Sequence, residues 1–321
     1  VGADSRSAPP TSQVPAIEFD GLPCSAAAAD IPLPGSATRV SGWLCIEQPG
    51  AWGRDVIGDA VLGAELTARL AARTKAARVR PTLIRRPGRG EFTGVRTVLL
   101  AASRPRGSWC ESLTVTDPEQ LLDIDLQVLN GPAPGIGERV TDPLTLVCAH
   151  GKRDQCCARL GRPIAARLAA EYPDQVWECS HTGGHRFAPA MVILPEGLTY
   201  GRVDGEDAVR AVAAVGRNDL SLNGFRGRSG LSPVEQVAEI AVRERVPAAL
   251  DQLTVTAVEP DTPISDPATF AGAAEVTHAD GRRWLVSTRT VGYPPRQASC
   301  GAAPKPASAI VADEIRETTR W

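Results

Sequence analysis

Two stretches of this sequence spell out the same order of elements, and few architectures accommodate such a chain. The first runs from a strand over residues 38–48 through a Gly/Pro loop to a helix over 63–77. That helix carries Leu66, Leu70 and, one step along, Ala71 at helical spacing. Strands follow over 80–86, 95–103 and 111–116; Asp117 before Pro118 then reads as an N-cap opening a helix over 118–129. The second stretch repeats this: a strand over 144–150, a polar loop, and a helix from Cys156 with Leu160, Ile164 and Leu168 four apart. Strands over 175–179, 190–195 and 198–203 and a closing helix over 205–215 complete it.

The expectation is an α/β (α+β) chain with a duplicated β-α-β-β-β-α unit over 37–135 and 136–229. A polar, Pro-containing arm (1–36) precedes it and a small α+β extension (230–321) follows. In the extension, Ser232-Pro233 with Glu235 signals a helix start, and Asp280-Gly281 turns a β-hairpin. Cys300 falls in a Pro-rich tail.

Composition narrows the function classes. Apolar residues make up 43% and charged residues 22%, an ordinary globular balance. A formal charge of −2 gives no global attraction to nucleic acid or to an anionic membrane. No apolar run reaches the roughly 20 residues that span a bilayer, and the first residues lack a signal-peptide core. The expected location is cytoplasmic, where clustered cysteines serve metal binding or catalysis more often than disulfides.

Those cysteines are concentrated. Of eight cysteines and four histidines, Cys148, Cys156, Cys157, Cys179, His150, His181 and His185 all lie between residues 148 and 185. Cys179 ends an apolar strand and reads as packing, and His150 reads as bonding its own loop. His181 and His185 fit the H-x3-H half of a zinc site, but Cys148 and Cys157 are too widely spaced for a zinc knuckle. The adjacent Cys156-Cys157 pair is not the C-x-x-C of a dithiol redox site. An iron–sulfur cluster suits two thiolates and two imidazoles converging from two loops, with Gly183 and Gly184 allowing close backbone approach. Overlaying the repeats sets Cys45 opposite Cys148, Arg54 opposite Cys157, Arg86 opposite His181 and Gly90 opposite His185. The first copy therefore reads as degenerate.

"CAHGKRDQCCARLGRP" and "SHTGGHRFAP" resemble the signature of the sucrase/ferredoxin-like family, as do "CSAAAADIPLPGSA", "WLCIEQPGAWGRD" and the late "ASCG". That family is similar to the thioredoxin-like [2Fe–2S] ferredoxins. The resemblance implies tandem thioredoxin-like domains, the first without a cluster, and an internal pseudo-dimer or a homodimer. It implies a [2Fe–2S] cluster held by Cys148, Cys157, His181 and His185, the pattern of the histidine-ligated branch. A one-residue slip would put Cys156 in place of Cys157; otherwise Cys156, Arg153, Gly183, Gly184 and Arg186 surround the site. Pro163 is similar in position to the proline that kinks the first thioredoxin helix.

Two neutral imidazoles in place of two thiolates leave the oxidised site neutral rather than dianionic, which raises its potential and links it to pH through the remaining imidazole N–H. Lys152, Arg153, Arg159 and Arg186 read as a docking patch for an acidic redox partner or as a solvated loop face, with an internal Arg153–Asp154 ion pair as the further alternative. The resulting expectation is an electron carrier or redox sensor. A cluster-dependent reductase of a small thiol or quinone-like substrate and a structural zinc protein are the alternatives. No nucleotide fingerprint and no glycosidase carboxylate pair is legible.

Overall fold

The computed structural model describes residues 22–55, 61–88, 92–259 and 268–318. Residues 1–21 of the polar arm and Gly90 lie outside that set. In chain order the elements are α1 (Cys24–Ala27), β1 (Gly42–Glu47), α2 (Ala64–Ala77), β2 (Val79–Arg85), β3 (Arg96–Ala102), β4 (Trp109–Val115) and β5 (Glu138–Arg139). Then come β6 (Leu144–Cys148), α3 (Gln155–Glu171), β7 (Val176–Cys179), β8 (Ala190–Leu194), β9 (Leu198–Gly201), α4 (Gly205–Val215) and β10 (Phe225–Arg228). The last are α5 (Pro233–Arg243), β11 (Leu253–Val258), β12 (Phe270–His278), β13 (Arg283–Arg296) and β14 (Lys305–Thr318).

Ten strands form one mixed, curled sheet in the order β10-β9-β8-β6-β7-β2-β1-β3-β4-β5. Its two halves share one set of strand relations. β1 is parallel to β2 and antiparallel to β3, which is antiparallel to β4. β6, β7, β8 and β9 repeat those relations strand for strand. The halves join where β2 and β7 pair antiparallel, with Ile84 opposite Cys179.

Alternation along the strands divides the core into layers. Leu44 and Ile46 face the layer under α2, while Trp43 and Cys45 face the opposite way. There they meet Leu146, Cys148, Trp177 and Cys179 of the second half, so the halves share one apolar layer. Val147 points instead to the layer under α3 and α4, with Ile164, Leu168 and Val212.

Three local expectations need correcting. Residues 118–129 form two 3-10 turns, Pro118–Leu122 and Leu126–Asn130, instead of one helix. Asp117 caps the first as the sequence suggests, but Asp125 caps the second with its own side chain. Two competing caps in twelve residues break the helix. Ile164 and Leu168 are buried on α3, but Leu160 is 40% exposed, and on α2 Ala71 faces out while Thr74 and Ala77 complete the buried stripe. Pro163 lies inside a continuous α3, where the resemblance places it.

In the C-terminal unit, Ser232 and Glu235 form the expected capping box of α5. The expected hairpin is the β12–β13 centre of a four-stranded antiparallel sheet, β11-β12-β13-β14. A buried ion-paired triad, Glu239 with Arg228 and Arg243, ties α5 to β10 and so to the large sheet. No helix among the described residues is long and apolar enough to cross a membrane.

Candidate metal centre at the end of the second half-sheet

Cys148 ends β6, buried, with Cys179 beside it in parallel register. The chain then turns into α3, which Asp154 caps by accepting from the Cys156 N–H at 2.8 Å. This places Cys157 in the first helical turn, against Cys148. Close approach of helix and strand requires Gly161, because a Cβ there would lie 2.1 Å from the Cys148 carbonyl oxygen. Sequence positions nine apart thus converge because one lies at a strand end and the other at the start of the following helix.

The second loop brings the histidines. The rings of His181 and His185 stack with centroids 3.9 Å apart and 18° between planes. Gly183 and Gly184 between them have φ of +103° and +76°, left-handed values that side chains disfavour. A Cβ at Gly183 would meet Thr38 Oγ1 at 2.0 Å, and one at Gly184 would meet Arg226 Nη2 at 2.6 Å. The loop is therefore pinned between the N-terminal segment and β10. His185 Nδ1 lies 3.2 Å from Cys157 Sγ. Cys148, Cys157 and His185 are buried, and His181 is half-buried.

Electrostatics separates the two thiols. A hydrogen bond from the Cys157 thiol holds Cys148 well below the usual thiol range; burial opposes this, and His181 and the Thr182 N–H reinforce it. Cys157 is pushed up by the same contact with Cys148 and by burial. His185 is pushed down to about 4 by burial and by His181 beside it. Its imidazole is neutral at pH 7 and offers a lone pair, as a metal ligand must.

The other candidates separate by geometry. Cys156, next to Cys157, turns away from the histidines toward Cys24 and Cys300. Cys179 is packed in the shared apolar layer. His150 does more than bond its own loop: Nε2 contacts the Gly53 carbonyl oxygen of the first half at 2.6 Å, and Nδ1 accepts from the His181 N–H at 3.3 Å. Arg153 pairs with Asp55 at 3.2 Å instead of with Asp154. Arg186 lies over the Phe187 ring. Arg86, the counterpart of His181, lies over Trp177 and donates to three backbone carbonyls.

Two arginines that the sequence did not single out brace the histidine loop. Arg80 donates to the His181 carbonyl at 2.7 Å, and Arg226 to the Gly183 carbonyl at 3.4 Å. Neither has a carboxylate partner among the described residues. Arg226 is fully buried, and desolvation, followed by repulsion from Arg186 and Arg202, pushes it down to about 9. Burying unpaired cations is costly unless an anion arrives. Thiolates close to Cys148 are such anions; its charge already favours the protonated form of both arginines. Of the four predicted ligands, Cys157 and His185 lie, with Asp154, within 4.8 Å of one another at their ligand atoms, close enough to hold a metal ion.

The chain thus has an α/β fold whose second half ends in a buried Cys/His group able to hold metal. Residues 33–227, more than half of its length, match the sucrase/ferredoxin-like family, and the chain belongs to that family. It is also similar to altered inheritance of mitochondria protein 32 of Meyerozyma guilliermondii, at 35% identity over a stretch covering 21% of this chain and 28% of that relative. No solved structure matches the chain.

Proposed function

We propose that this protein is a [2Fe–2S] electron carrier whose cluster is held by Cys148, Cys157, His181 and His185. The observation that carries the reading is the pairing of donors. Cys148 lies against Cys157, and His181 is stacked on His185, so one side of the site offers two sulfurs and the other two imidazoles. A binuclear centre needs two such pairs; a single ion would need four equidistant donors. Once bound, the cluster would supply one-electron chemistry.

The chain's residues would set the terms of that transfer. Histidine in place of cysteine at two positions removes two negative charges, which favours the reduced state. Arg80 and Arg226 favour it further from behind the loop. His185 Nδ1 is turned toward Cys157; with that nitrogen on the metal, Nε2 would carry the proton and could release it on oxidation. His150 fixes the His181 backbone and, through Gly53, ties the site to the first half.

The repeated strand order supports reading each half as thioredoxin-like, and the continuous sheet supports an internal pairing of halves in place of a homodimer. One cluster, two irons per chain, follows. Exposed Lys152 and Arg159 beside the site support docking of an acidic redox partner. EPR with nitrogen hyperfine detection on the reduced protein tests the ligand set. Two strongly coupled nitrogens are expected. Absence of iron after anaerobic reconstitution, together with one zinc that is lost in Cys157→Ser, would replace this reading with a single-ion site at Asp154, Cys157 and His185, which lie close enough together to hold one.

A further inference from the structure

Three cysteines that the cluster does not use lie together on the other side of the α3 start. Cys24 comes from α1, Cys156 from the first turn of α3, and Cys300 from the connection between β13 and β14. Their sulfurs form a triangle with sides of 3.7 Å (Cys24–Cys156), 3.3 Å (Cys156–Cys300) and 3.6 Å (Cys300–Cys24). The two carboxylate oxygens of Asp154 lie 3.5 and 3.7 Å from Cys24 Sγ. Tetrahedral zinc with Zn–S bonds of about 2.3 Å sets two sulfurs about 3.8 Å apart, and a sulfur and a carboxylate oxygen about 3.5 Å apart. The four ligand atoms all lie within 4.8 Å of one another, the span of such a site.

We propose that Cys24, Cys156 and Cys300, with Asp154 as the fourth donor, form a second metal site for one thiophilic, zinc-class ion. The surroundings are those of a built site. Asp154 is oriented by three donors at 2.8 Å, the N–H groups of Cys156 and Cys300 and the Ser299 hydroxyl. The Ser25 hydroxyl reaches Cys156 Sγ at 3.4 Å. Such outer partners fix ligands in place. Cys24 and Cys156 are buried; Cys300 is partly exposed on a cavity of about 1030 Å³, which gives an ion its entry path. The soft three-sulfur set selects zinc-class ions over magnesium or calcium.

The site would work as a staple. Its ligands come from residues 24, 156 and 300, so one ion closes two long loops and fastens both ends of the described chain over the turn that carries Cys157. Binding releases thiol protons and contributes to folding directly.

The test is metal content of the full chain together with zinc competition against a chromophoric chelator. We expect one zinc per chain beside the iron, and for Cys300→Ser a zinc affinity reduced by more than the roughly 100-fold that losing an outer partner costs, with the iron absorption retained. His185→Ala should do the reverse, losing iron and keeping zinc, so failure here is distinct from failure of the cluster reading. Should Cys300→Ser not fold, alkylation of the unaltered protein provides the second measurement: zinc should protect Cys300 from iodoacetamide. Zinc binding unchanged in Cys300→Ser, unprotected Cys300, or a Cys156–Cys300 disulfide in anaerobically purified, zinc-free protein would each overturn the proposal.

Discussion

The two halves of the large sheet have the same strand order and opposite thiol chemistry. Cys45 in the first half and Cys148 in the second are both fully buried in the shared apolar layer. Burial, with Cys110 nearby, pushes the Cys45 thiol far up, and Cys110 itself is pushed up to about 12, mainly by burial. Cys148 moves the other way because Cys157, His181 and the Thr182 N–H donate to it. Burial is common to both halves, so it does not make the site. The difference lies in two loops: the one entering α3, which supplies Cys157, and the H-x3-H loop, where the first half has Arg86 and its neighbours.

The most direct way to break the comparison is to remove one thiol from each half. Cys157→Ser is expected to abolish iron incorporation, read as loss of visible absorption and of iron by elemental analysis. Cys45→Ala should retain iron in full and cost only about 1 kcal/mol in urea unfolding, an ordinary buried substitution. Iron loss in both would show that the halves are not functionally distinct.

The sequence made one side of this contrast readable and hid the other. Cys148, Cys157, His181 and His185 stand out because a strand end, a helix start and a short loop bring near neighbours in sequence near in space. The strand alternation and the caps at Asp117 and Ser232 are local signals too, set by period and by backbone N–H groups within a few residues. Cys24 and Cys300 carried no such signal. Cys24 lies 130 residues from Asp154 and Cys300 lies 144 residues from Cys156, so only the tertiary fold brings them together. Arg80 and Arg226 were equally hidden: arginine is rarely fully buried, and only the folded loop shows which carbonyls they serve.

A smaller change sharpens what the histidines contribute. His185→Cys puts a thiolate in the second half where a neutral imidazole stood, making the oxidised site more negative. The reduction potential should fall by about 100 mV or more, toward all-cysteine values. In the unaltered protein the potential should fall by about 59 mV per pH unit once pH exceeds the oxidised-state histidine pKa, the slope of one proton per electron. That slope should weaken in His185→Cys; an unchanged slope would assign the proton to His181. The iron-free protein gives an independent check. Folded His185 titrates near 4 against an ordinary 6.5, so below pH 6.5 the unfolded chain takes up a proton that the fold refuses. Stability should therefore decline as pH drops from about 6.5 toward 4 and then level off with respect to this group. The Tm of His185→Gln should lack that decline.

The smallest effect is expected where the two halves meet in solvent. Arg153, on the α3 entry loop, pairs with Asp55 of the first half at 3.2 Å, but the Asp55 side chain is largely exposed and that of Arg153 partly so. An exposed pair of this kind is worth about 0.2–1 kcal/mol and is screened by salt. His150, by contrast, is buried where it reaches Gly53 and the His181 N–H. Arg153→Ala should thus leave iron content and potential unchanged and shift the unfolding midpoint only slightly at low salt. A loss of iron in Arg153→Ala would mean that the surface pair, and not the buried imidazole, couples the ligandless half to the metal centre.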